Sequence, residues 1–168
     1  MAIVLSDELD KKVNKLKVLK MVLIHDLAEA VTGDIPSFEL SERQNEKHSN
    51  EEKALKHIIS SLPVRLQKEI MFLWNEFENC QTQEAKFANS IDKIEVCIQH
   101  NLANISTWDD GDYKVGPYYK NYFFDFDPFM RSFKDKVDLD TMQKVMDNKQ
   151  SHRVSAENLK RFRKQQKH

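Results

Sequence analysis

The stretch "LIHDLAEAVTGDIP", residues 23–36, sets a histidine and four acidic or hydroxyl side chains (Asp26, Glu29, Thr32, Asp34) into an otherwise apolar helical run. Burying an unpaired carboxylate costs several kcal/mol, so a helix built for burial that carries Asp26 beside His25 requires a cation, a metal or several donors close by. The spacing His-Asp-x-x-Glu-x-x-x-Gly-Asp gives that requirement a geometry. Glu29 follows His25 by four residues and Asp26 by three, one helical turn away on the same side. An imidazole and two carboxylates can then converge on one point. That donor set suits a divalent metal such as Mn, Co, Fe, Zn or Mg, and the lack of thiolates argues against a structural zinc. A further ligand must come from elsewhere in the fold.

Outward from this stretch, Leu16, Val18, Leu19, Val22, Leu23, Ile24 and Leu27 surround much of a helix expected from about Lys15 to Val31, which predicts one central, buried rod. Gly33 can supply the left-handed residue that ends it, and Pro36 prevents continuation. Ahead of it, "MAIVLSDEL" at residues 1–9 reads as the end of a helix, because its apolar cluster starts without a capping signal; the expectation is a chain whose true start lies upstream.

Ser41 and Gln44 have capping-box spacing for a third helix, with a polar first half and a stripe of Ala54, Leu55, Ile58, Ile59 and Leu62. His48, with Lys47 and Glu51, belongs to that polar half and reads most simply as a solvated face. A fourth helix starts near Pro63 and repeats Leu66, Ile70, Leu73, Trp74 and Phe77; a fifth starts near Thr82 and repeats Phe87, Ile91, Ile94, Ile98 and Leu102. From Trp108 to Phe133 the period breaks in an aromatic stretch that includes "YKVGPYYKNYFFDFDPFM", expected to be an irregular packed segment or a dimer surface. A sixth helix is expected over Asp138 to Met146. The end, "HRVSAENLKRFRKQQKH", reads as a frayed helix or tail.

Three glycines and four prolines in 168 residues suit long helices, so the fold class is all-α. The length suits one domain, residues 1–150, followed by a basic C-terminal tail over 151–168. A net charge of −1 gives no field of one sign, so neither nucleic acid nor an anionic membrane is expected as partner. Cys80 and Cys97 lack metal-type spacing, and neither a signal peptide nor a span of about 20 apolar residues is visible, so the cytoplasm is the expected compartment.

"LIHDLAEAVTGDIP", taken with "FANSIDKIE" at 87–95, resembles the HD-domain metal-dependent phosphohydrolases, most closely the HD-type 5′-deoxynucleotidases. The likeness runs through "EKHSNEEKALKHIISSLP" and "LWNEFE" across residues 1–105. The resemblance implies an HD-domain helical bundle that removes phosphate from nucleoside 5′-monophosphates, deoxyribonucleotides above all, as a homodimer. It implies a divalent metal on an upstream His together with His25, Asp26 and Asp92. It gives Glu29 the attacking water and Asp34 the nucleotide sugar, and Lys93 is a candidate to neutralise phosphate charge. No histidine precedes His25 in this sequence, which departs from that pattern. The alternative is an HD bundle that binds nucleotide or dimerises with impaired catalysis.

Overall fold

The computed structural model describes residues 1–34 and 42–166; among these every regular element is helical. The chain is all-α, and it divides into two compact units, Val13–Ala88 and a second made of Met1–Lys12 with Asn89–His168.

The outer segment of the second unit starts with α1 (Ala2–Leu5), the short helical end anticipated at the N-terminus. The unit Val13–Ala88 starts with α2 (Lys15–Ile24), whose cap is Asn14: its side chain accepts from the Lys17 amide at 3.1 Å. The helix expected to run from Lys15 to Val31 is in fact two. A tight turn over His25–Ala28 separates α2 from α3 (Glu29–Thr32), closed by Leu27 N to Ile24 O at 3.2 Å and Glu29 N to Asp26 O at 3.0 Å. The side chain at the break explains it. His25 Nδ1 lies 3.1 Å from Val22 O, the carbonyl that the Asp26 amide would use in a continuing helix. The rod is also less enclosed than its apolar circumference suggests, because Val18 and Met21 are buried whereas Leu16 and Leu23 face outward.

Two longer helices, α4 (Glu42–Ile58) and α5 (Val64–Asn79), complete this unit's frame. Ala54 and Leu55 of α4, Ile59 just beyond it, Trp74 of α5 and Ala28 form one buried cluster, flanked by Ile24, Ile70 and Met71. Lys17 Nζ meets Glu76 Oε1 at 2.6 Å, and Lys20 pairs with Glu69, so two ion pairs tie α2 to α5. After α5, Cys80 adopts the left-handed conformation (φ 50°) that closes a helix. Thr82 Oγ1 then accepts from the Ala85 amide at 3.2 Å, at the start of α6 (Gln83–Leu102). Gly33 ends α3 with a positive φ of 73° as anticipated, but at ψ 152° it is not in the left-handed helical region expected of it, and its amide donates to Glu29 O at 2.9 Å; Pro36 and the Ser41 cap lie outside the described residues.

In the other unit the aromatic stretch turns into core. Asp109 and Asp112 make a reciprocal capping box at α7 (Asp110–Lys114). Trp108, Tyr113 and Tyr118 are buried with Met142, Val145, Val154 and Phe162. The helix expected over Asp138 to Met146 is much longer: α8 (Pro128–Asp147) starts at Asp127, which accepts from the amides of Phe129 (3.0 Å) and Met130 (3.2 Å). Its period was obscured because Lys134, Asp138 and Thr141 are buried on it beside Met130, Val137 and Met142. The terminal residues are no frayed tail. They fold as α9 (Ala156–Gln165), capped by Ser155, with Phe162 buried and Leu159 packed on the same cluster. Val154, Leu159 and Phe162 supply the apolar contacts that a basic composition concealed.

Candidate functional site

His25 sits where α2 gives way to the turn, its ring 4.7 Å from that of Phe77, and its side chain is 13% exposed. A carbonyl oxygen only accepts, so the contact of Nδ1 with Val22 O places a proton on Nδ1 and turns Nε2 toward Asp26. This is the tautomer arrangement common to metal-binding histidines. Nε2 lies 3.0 Å from Asp26 Oδ2, so a proton or a cation belongs between them; the Asp26 carboxylate itself is 59% exposed, not buried as its apolar setting predicts. The donor chemistry of His25 and Asp26 therefore fits a divalent metal ion.

Glu29 opens α3, one turn beyond, half-buried and facing α4. Lys47 Nζ lies 3.2 Å from Glu29 Oε1 and 3.5 Å from Glu51 Oε1. Burial pushes the Glu29 carboxyl up; the Lys47 hydrogen bond opposes this, the charge of Asp26 adds to it, and the net direction is upward. Burial acts to lower Lys47, but the charges of Glu51 and Glu29 prevail and hold its ammonium above the ordinary lysine range. Asp34 is exposed just past Gly33. Thr32 Oγ1 contacts Ala28 O at 3.3 Å, a local turn bond.

The polar half of α4 is largely solvated, His48 included, but Glu51 departs from that reading. Glu51 is 6% exposed, and His48 stacks on Trp74 with ring centroids 4.9 Å apart and Nδ1 3.5 Å from Glu78 Oε2. Periodicity missed Glu51 because a charged side chain on a polar face carries no sign of its burial. The spacing Lys47-x-x-x-Glu51 was the available signal.

Asp92 and Lys93 belong to the other unit, on α6. They pair with each other, and Lys93 Nζ sits 5.6 Å from the centre of the Phe123 ring. The Lys93 ammonium thus lies against a carboxylate and an aromatic face.

A family model described as HD domain matches residues 1–125 of this chain. 5′-Deoxynucleotidase HDDC2 of Homo sapiens is 36% identical over 116 residues, which are 69% of this chain and 52% of that protein. The HDDC2 protein of Mus musculus is 39% identical over 90 residues, 54% of this chain and 45% of its own length. 5′-Deoxynucleotidase hdd1 of Schizosaccharomyces pombe is 39% identical over 94 residues, 54% of this chain and 47% of its own. The chain thus spans about half the length of the curated relatives it matches. Among solved structures, a predicted metal-dependent phosphohydrolase from Magnetospirillum magnetotacticum superposes with a TM-score of 0.72 at 22% identity, over 86% of this chain and 72% of that one. That likeness shows the fold.

Proposed function

The chain belongs to the HD domain family, and from that membership we propose that it is a metal-dependent phosphohydrolase that removes phosphate from nucleoside 5′-monophosphates, deoxyribonucleotides in particular. The observation that carries the reading is the His25–Asp26 pair, an imidazole nitrogen and a carboxylate oxygen 3.0 Å apart at a break in a helix. The relatives' names, 5′-deoxynucleotidase, support the substrate class.

The proposed ligands of the metal are His25, Asp26 and Asp92. A divalent ion held by them supplies Lewis acidity at a phosphate oxygen and acidifies water. Mn, Co or Mg are the ions we assign first, because carboxylate-rich sites favour hard cations and such ions retain waters where protein ligands are few. Glu29 orients the attacking water and accepts its proton as the new O–P bond forms. The bond from phosphorus to the 5′-oxygen breaks in line, and that oxygen takes a proton from solvent while Glu29 returns the one it accepted to solvent. Asp34 accepts from a sugar hydroxyl and so holds the leaving oxygen opposite the water. Lys93 offsets phosphate charge.

The partner class is a small nucleotide, not nucleic acid, in keeping with the balanced charge of −1. Among the described residues no helix is long and apolar enough to cross a membrane, and a cytoplasmic location is our reading. Exposed Leu16, Leu23 and Phe72 on α2 and α5 support a homodimer.

The test is phosphate release from a panel of nucleoside 5′-monophosphates with Mn, Co and Mg, alongside metal binding by calorimetry. Glu29→Ala is expected to lower kcat by roughly a hundredfold or more while the metal still binds, as loss of a general base does. Asp92→Ala is expected to weaken metal binding itself. No release with any metal from a folded chain would refute the reading. That result would favour the alternative, a nucleotide-binding or dimerising module with impaired catalysis.

A further inference from the structure

The proposed reaction uses Glu29 but leaves unexplained what aims it. The helix that carries it, α3, has four residues, and a single helical turn has no stability of its own because the cost of nucleation is not recovered. The direction of the Glu29 side chain therefore depends on what α3 packs against, which in this unit is α4. A hydrogen bond ties the two: Lys47 Nζ donates to Glu29 Oε1 at 3.2 Å.

A lysine alone would be a poor positioning device, since its ammonium ends a flexible four-carbon stem. Here the stem is restrained. Glu51, one turn further along α4 and 6% exposed, places Oε1 3.5 Å from the same ammonium. The cation is held between two carboxylates, one on its own helix and one on α3. An exposed pair at this spacing would contribute little, but Lys47 and Glu29 are half-buried and Glu51 is buried, so the attraction is screened less than at the open surface. A buried Glu51 without a cation would also be costly, so the three side chains stand or fall together. The surrounding charges agree with the arrangement: Asp26 and Asp34 act on Glu29, and Glu78 acts on Glu51, all of them negative. In this acidic neighbourhood Lys47 is the cation in hydrogen-bond reach of Glu29.

We propose that Lys47, anchored by buried Glu51, is the positioning residue for Glu29: it holds Oε1 and so leaves Oε2 to accept from the attacking water. The inference rests on the reading of Glu29 given under Proposed function. It adds two residues to the machinery that do not themselves touch substrate.

Three variants test it, Lys47→Met, Lys47→Arg and Glu51→Gln, with Lys53→Met as a control at an exposed position on the same helix. Each is measured for kcat and KM with a deoxyribonucleoside 5′-monophosphate, for Mn binding by calorimetry, and for amide hydrogen exchange. Misaiming a catalytic group without removing it is expected to lower kcat by about tenfold to a hundredfold in Lys47→Met, with KM and Mn affinity nearly unchanged. Glu51→Gln should show a smaller loss of the same kind, and Lys47→Arg should restore most of the rate. Exchange at residues 29–33 should quicken in Lys47→Met while α2 and α5 stay protected, which shows a folded protein with a loosened α3. The inference is overturned if Lys47→Met keeps the parent kcat, or if exchange at 29–33 does not change. It is equally overturned if exchange quickens throughout the unit and Lys47→Arg gives no rescue, since the lysine would then be a general stabiliser. A parent that releases no phosphate refutes the reading of Glu29 itself, whereas an active parent with an unaffected Lys47→Met refutes this inference alone.

Discussion

Removing Lys134 should destabilise the protein severely, and more so at neutral pH than in mild acid. Lys134 and Asp138 are neighbours one turn apart on α8, both fully buried, and they pair directly. Asp138 also accepts from the Asn121 side chain at 3.0 Å and from the Tyr118 amide at 3.2 Å. Those two donors lie in the aromatic segment where Tyr118 and Lys120 have positive φ, 64° and 45°. One carboxylate thus secures a backbone path that L residues rarely adopt. Lys134→Met keeps the stem's volume and deletes the charge, leaving Asp138 with two neutral donors. Deleting one partner of a buried pair costs about 3–5 kcal/mol, which is a large share of the ~5–15 kcal/mol that holds a domain of ordinary size.

The pH dependence follows from the sign of the shift. Burial already pushes the Asp138 carboxyl above its ordinary value, and the charge of Lys134 is the largest opposing influence. Without Lys134 the folded-state value rises further above the unfolded one. Such a group binds its proton more tightly when folded, so its contribution to stability is present in acid and is lost as pH rises through the folded-state value. Urea denaturation followed by circular dichroism at pH 7 and pH 5 measures both effects. The loss for Lys134→Met should be about 3–5 kcal/mol at pH 7 and smaller at pH 5, and adding Asp138→Leu should recover much of it, since replacing a whole buried pair by apolar groups is often neutral. A loss below about 1 kcal/mol, on the scale of an exposed pair, or one equal at both pH values, would refute the reasoning.

The same pair shows what the sequence conceals. A lysine and an aspartate four apart on a helix suggest a solvated surface, and here they are interior, which is why α8 was expected at half its length. The helices with clear apolar steps, α5 and α6, were legible because burial there is carried by side chains that have no other use for their position. The break at His25 was not, because it depends on one imidazole competing for a carbonyl, a contact that no spacing rule encodes. The chemistry of the site divided in the same way. His25, Asp26, Glu29 and Asp34 could be singled out from their spacing within a short stretch, and Asp92 only through the resemblance carried by "SIDKIE". Lys47 and Glu51 were visible as a pair on a polar face, but their relation to Glu29 requires α3 to lie on α4.

Two further changes probe backbone and packing. Gly33→Ala places a side chain at φ 73°, ψ 152°, a region nearly confined to glycine, although among the described residues nothing lies within 4 Å of the added carbon. The expected loss, about 1–3 kcal/mol by thermal or urea denaturation, is therefore backbone strain alone, and no loss would mean the turn after α3 relaxes freely. Phe162→Ala addresses the C-terminal helix, where composition and structure disagree most. Phe162 is 4% exposed and belongs to one cluster with Trp108, Tyr113, Tyr118, Met142, Val145 and Val154. If α9 is part of that core, truncation empties a space lined by large rings that cannot collapse onto it, and the loss should approach the roughly 3–5 kcal/mol typical of buried phenylalanine. If α9 instead frays in solution, the ring has already left the cluster for much of the time and the variant should melt within a degree or two of the parent. Amide exchange separates the cases without mutation: protection across residues 156–165 comparable with α8 supports a docked helix, because a solvated ten-residue helix is marginal on its own.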